Sequence, residues 1–127
     1  MRPTDQTVFG ARGNCMLACI ASILECPLDD VPDIGAIHDS GGSWPRALND
    51  WLRPRGLAYI EVKTGSYVGQ MPRTYHIIGG VSPRGFADGH AVVGYAGQIV
   101  HDPHPSRAGL TSIEDYGFFV RLFPRYG

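Results

Sequence analysis

Nowhere in these 127 residues does an apolar run approach the roughly 18 that a membrane-crossing helix needs. The most apolar stretch, Met16 to Leu24, is half that long, follows Asp5, and leads to no small-residue cleavage site. Glu25 immediately before Cys26 also spoils a lipoprotein site, so the expectation is neither a signal peptide nor an anchor but a cytoplasmic chain. Cysteine is scarce, with three in all and no C-x-x-C pair. An odd count argues against a disulfide framework and for a reducing compartment or a reactive thiol, and the missing pair argues against structural zinc. No charge sign dominates: the formal net charge is -1 and the arginines are scattered, which argues against a nucleic-acid partner. Repeats, low-complexity tracts and linkers are missing too, so residues 1–127 read as one domain.

Glycine, at 17, and proline, at 10, are abundant, and apolar periodicity persists between them, which means tight turns joining short elements. Residues 1–12 read as an extended arm. Asn14 is a good helix N-cap, placing Cys15 at the first helical position, and the apolar residues from Met16 to Leu24 cover every face of a buried helix that Pro27 ends. The segment LDDVPDI, with Asp29, Asp30 and Asp33, reads as a turn-rich acidic connection that has room for a short helical turn. Ser43 and Pro45 open a second helix with Trp44, Leu48, Trp51 and Leu52 on one stripe, ended by Pro54 and Gly56. Strands are expected over 57–62, 74–81, 90–95 with 98–102 as a hairpin, and 117–123. Helices first and antiparallel strands later is an α+β pattern.

Cys15 is where the chemistry starts. A helix N-terminus favours a thiolate through its dipole and free N–H groups, and the same groups can hold an oxyanion formed beside the sulfur. Cys19 and Cys26 read as packing residues. A thiol nucleophile needs a base, normally His, and a group that orients it. Of His38, His76, His90, His101 and His104, His90 stands out because it opens the strand HAVVGY directly after ADG, with Asp102 just past the hairpin. His38 reads as a surface loop residue and His76 as a strand residue. A two-residue loop, Ala96-Gly97, sets Asp102 on the face opposite His90. A three-residue loop, Tyr95-Ala96-Gly97, pairs Gly94 with Gln98 and His90 with Asp102. Gly97 supplies the left-handed residue that such a loop needs, so the expectation is the three-residue register.

GNCMLACIASIL resembles the nucleophile helix of papain-like cysteine peptidases, and DGHAVVGYAGQIVHDPHPS resembles their histidine strand. The later Asp-Pro is especially similar to the bacterial leader-peptide peptidases of bacteriocin exporters. The resemblance implies a minimal papain-like fold with Cys15 as nucleophile, His90 as base and Asp102 as orienting residue, acting on a peptide or protein substrate without a cofactor. Such families place an oxyanion-hole Gln ahead of the Cys, and Gln6 is the only upstream candidate, nine residues away. The Cys-Gly-Ser-Cys-Trp signature is absent. The chemistry so implied is attack by the Cys15 sulfur, through a standing thiolate–imidazolium pair with His90, on a peptide or amide carbonyl. An acyl-enzyme follows.

Other readings remain beside this one. His90, His101, Asp102 and His104 are types that bind metal, but two prolines stiffen their loop and no second ligand cluster accompanies them, so no metal is expected. Acyl transfer to an amine uses the same triad, and a catalytically silent binding module keeps the same fold. Oligomeric state and substrate identity are not legible.

Overall fold

Helix α1 spans Cys15–Leu24, and Asn14 occupies its N-cap position, its carbonyl accepting Ala18 N–H at 3.0 Å but its side chain making no cap bond. Asn14 Oδ1 instead accepts the N–H groups of Thr7 and Val8, at 2.9 and 3.0 Å, and its amide donates to Thr7 Oγ1. The expected cap therefore ties down the preceding arm, and no capping side chain occupies the N–H groups at this helix end. The helix stops before Pro27: Glu25 turns left-handed, with φ 56°, and its N–H returns to Ala21 O. The computed structural model describes residues 1–85 and 89–122. Ala87 and Asp88 of the ADG segment and Phe123 of the expected last strand lie outside them.

The 28–34 connection holds a short helical turn at Leu28–Asp30, and helix α2, Ile34–Asp39, begins at its end, where the sequence reading placed no helix. Six residues are too few for a periodic pattern to emerge, yet the cap is a regular one, Asp33 Oδ1 accepting Ala36 N–H at 3.1 Å. Exposed His38 belongs to this helix and not to a loop. Helix α3, Trp44–Leu52, follows the sequence reading: Ser43 Oγ accepts Arg46 N–H, Pro45 sits in the first turn, and Leu48 and Leu52 are completely buried. Each such leucine contributes about 1.5–3 kcal/mol through burial.

Five strands follow: β1 Leu57–Lys63, β2 Tyr75–Val81, β3 Gly89–Tyr95, β4 Gln98–His101 and β5 Ser112–Arg121. They form one antiparallel sheet in the order β1-β5-β2-β3-β4. Helix α1 packs on β3 and β2, and α3 packs on β1. Cys19, Ile20, Leu48, Leu52, Tyr59, Ile77 and Val93 meet between these layers as the core. The class is α+β, and no helix among the described residues is long and apolar enough to cross a membrane. Strand β5 begins five residues before the expected Gly117. The register slips between Gly79 and Gly80, where Glu114 is an extra residue on β5, and this bulge breaks the alternation that marks a strand in sequence.

The β3–β4 hairpin corrects the sequence reading. Tyr95 pairs with Gln98 and Gly94 with Ile99, so the loop is the two residues Ala96-Gly97, both at positive φ (51° and 82°), the pattern of a type I′ turn. His76, fully buried on the sheet face opposite Ile77, holds this turn by accepting Gly97 N–H at its Nε2, 3.1 Å away. Three-residue looping failed as an expectation because Ala96 adopts a conformation that alanine rarely takes. Ala96→Asn keeps the turn and suits the left-handed region, so it is expected to raise stability by about 0.5–1 kcal/mol in denaturant melts. A three-residue loop would give no gain.

Candidate functional site

A two-residue loop by itself leaves Asp102 on the wrong face of the sheet. A second irregularity reverses this. Gly94 pairs with Ile99 but Val93 pairs with His101, so Val100 is an extra residue on β4. One inserted residue exchanges the faces of everything beyond it. Asp102 then lies on the His90 side, and His90 Nε2 reaches Asp102 Oδ1 at 2.7 Å, with both residues buried. The pair expected from sequence is present, by a turn and a bulge in place of a longer loop.

Asp102 is held from three sides. Oδ1 also accepts His104 N–H at 2.9 Å, and Oδ2 accepts Gly109 N–H at 2.7 Å. Burial pushes this carboxyl up, but the bonds from His90, His104 and Gly109 outweigh it and hold it below the ordinary carboxylate value. Asp102 is therefore ionised at neutral pH and can only accept. It follows that His90 Nε2 carries a proton, and a neutral imidazole then has Nδ1 as its basic nitrogen.

Cys15 opens the helix beside this pair. Burial raises its thiol above the ordinary value, and the N–H groups of Ala91, Met16 and Cys15 itself pull back without cancelling that effect. Burial thus works against a thiolate at Cys15, and the backbone donors around the sulfur work for one. Cys19, one turn deeper, is completely buried and its thiol is raised much further. Cys26 is partly buried at the far end of α1, and all three cysteines are free.

Cys15 and His90 together wall two clefts. One, of about 430 Å³, runs over the sheet past Tyr59, Gly79, Glu61 and Asp115. Glu61 there is raised by burial and by Asp115, with Lys63 opposing. The other, of about 260 Å³, is bordered by Gln6, Phe9, Arg84 and His104. A larger cleft between the 7–14 loop and α2 contains none of the four predicted site residues.

Nine residues separate Gln6 from Cys15 in sequence, but the loop between them folds back. Gly13 N–H donates to Gly10 O and Asn14 N–H to Val8 O, which returns the arm to the helix end. Gln6 is 7% exposed, its Nε2 donates one proton to Val8 O, and its Oε1 is buried without a partner. Gln6 lines the cleft shared with Cys15 and His90, and its amide carries a second Nε2 proton beside the one given to Val8 O.

His104, weighed in the sequence as a metal-binding type, instead uses its ring Nδ1 to accept Ser106 N–H. His101 Nε2 lies 3.0 Å from Thr4 O on the arm. No group of three or more potential metal ligands occurs among the described residues. The sequence reading missed Gly109 and the His104 backbone as supports of Asp102. Their signal was the turn-forming run DPHPSRAGL, in which Gly109 takes φ 74°. Compared with known protein families, with curated proteins and with solved structures, the chain has no match.

The folded-state carboxyl of Asp102 titrates below the roughly 3.9 of an unfolded chain. Its stabilisation is therefore complete above about pH 4 and is lost as pH falls through the lower folded value. Asp102→Asn should be less stable than wild type at pH 7 in urea melts, and that gap should narrow as the pH drops below about 4. A gap independent of pH would mean that the carboxylate charge is not what the three donors hold.

Proposed function

We propose that the chain is a papain-like thiol hydrolase that cleaves a peptide or amide bond through Cys15, His90 and Asp102. The observation that carries this reading is the buried 2.7 Å His90–Asp102 bond, on the wall where the Cys15 thiol meets two clefts. The α+β layering, with the thiol at the start of a helix packed on an antiparallel sheet, supports it. Free thiols suit the reducing cytoplasmic setting that we assign to the reaction.

The reaction starts from a neutral thiol. As Cys15 Sγ attacks the carbonyl carbon, His90 Nδ1 takes the thiol proton, and Asp102 stabilises the imidazolium that forms. Negative charge moves to the carbonyl oxygen, where Cys15 N–H and the free Gln6 amide proton receive it. Collapse of the tetrahedral adduct breaks the C–N bond, and His90 gives its proton to the departing amine. Water, deprotonated by His90, then attacks the thioester and releases the acid and the thiol. An amine in place of water would make the same enzyme an acyl transferase.

The test is turnover of a diverse peptide pool, read by mass spectrometry. Cys15→Ala should abolish cleavage, His90→Ala should lower it about 10²–10⁴-fold, and Cys26→Ala should leave it intact. Cleavage that survives Cys15→Ala would overturn the hydrolase. Binding of peptides without turnover by the wild type would establish the silent module instead.

A further inference from the structure

The oxyanion contact and the base-orienting group sit on separate pieces of chain, and one side chain reaches both. Gln6 belongs to the N-terminal arm, and Asp102 to the loop after β4. Arg107 spans them. Its Nη1 and Nη2 donate to Asp5 Oδ1 and Oδ2 at 2.6 and 2.9 Å, a two-pronged carboxylate clamp on the residue next to Gln6. The same Nη1 donates to the backbone carbonyl of Asp102 and lies 3.4 Å from His104 O. Further links run beside it: Gln6 N–H donates to Pro103 O at 3.0 Å, and the His101 Nε2 lies 3.0 Å from Thr4 O and 3.4 Å from Asp5 Oδ1.

The backbone of Arg107 adds a second observation. It stands at φ 53°, in the left-handed region that a branched-off side chain disfavours, within a turn closed by its own N–H to His104 O. Glycine would fit that conformation more easily. An arginine there keeps a strained backbone in exchange for a guanidinium aimed at both segments.

We propose that Arg107 is a positioning residue that helps lock Gln6 and Asp102 in register, because its guanidinium bonds both the residue next to Gln6 and the backbone of Asp102. The proposal rests on the hydrolase reading for its catalytic consequence, but not for the coupling itself. Lysine cannot replace it fully, because one ammonium cannot grip both carboxylate oxygens and a carbonyl in fixed geometry. The clamp touches neither reacting atoms nor substrate, so its loss should act on kcat and spare KM.

Arg107→Gly relieves the backbone while removing the guanidinium, and Arg107→Lys keeps the charge. Three quantities are read on the full chain: amide exchange of Gln6, the downfield NMR signal of the His90 Nε2 proton, and kcat and KM of Cys15-dependent peptide cleavage. For Arg107→Gly the expected results are an unchanged or raised melting temperature and Gln6 exchange at least tenfold faster. The His90 signal should broaden or shift, and kcat should fall about 10–100-fold, the scale of an ångström-level misplacement, at constant KM. Arg107→Lys should lie between the two. Unchanged Gln6 exchange and an unchanged His90 signal in both variants would overturn the coupling. A fall in kcat that only follows a lowered melting temperature, equal in Gly and Lys, would overturn it as well. If cleavage turns out not to need Cys15, the hydrolase reading fails, and the exchange and NMR measurements still decide the coupling.

Discussion

A buried carboxylate must be met by donors or it will not stay charged, and Asp102 sets that demand on this molecule. At 4% exposure it takes a ring N–H from His90 and backbone N–H groups from His104 and Gly109. Meeting all three fixes the path of the loop from 102 to 109, the tautomer of His90, and the register of β4 beyond its bulge. The nitrogen left basic on His90 follows from the same bonds. Hydrogen bonds to a charged group contribute roughly 1.5–3 kcal/mol each, so the carboxylate that holds the His90 ring also stabilises the fold around it.

Two bulges flank the region where the clefts meet. Val100 on β4 carries Asp102 to the His90 face, and Glu114 on β5 lies on the wall of the larger site cleft. Each costs the sheet a regular ladder position and re-aims the side chains beyond it. The sheet supplies rigidity, and its irregularities supply the placement. Helix α1 contributes the complementary half: with the Asn14 side chain diverted to the arm, the backbone N–H groups of Cys15 and Met16 face the Cys15 sulfur.

Much of this was legible from residue types. Ser43 and Pro45 marked α3, the apolar run marked α1, and the helix-then-strand order gave the α+β class. The partnership of His90 with Asp102 was also legible, but through the wrong turn. A type I′ turn normally announces itself with Asn-Gly, and Ala-Gly conceals it; a one-residue bulge at Val100 has no sequence mark because valine suits any strand position. Helix α2 was too short to show a period, and Asp33, its cap, was read as part of an acidic turn. The proximity of Gln6 to the Cys15 helix could not be read either, since it depends on the fold-back of residues 7–14 around the Asn14 side chain.

The account's central claim is that Cys15 is a nucleophile whose reactivity depends on His90. A peptidyl vinyl sulfone reports this directly, because it adds to a sulfur as a stable thioether, and faster where a neighbouring base takes the thiol proton during attack. After brief exposure at neutral pH, digestion and mass mapping should find the adduct on Cys15 alone, with buried Cys19 and partly buried Cys26 unmodified. His90→Ala should lower its rate of formation by at least about tenfold, at the modest end of general-base effects. Labelling of Cys15 at the same rate in wild type and His90→Ala, or preferential labelling of Cys26, would contradict the account.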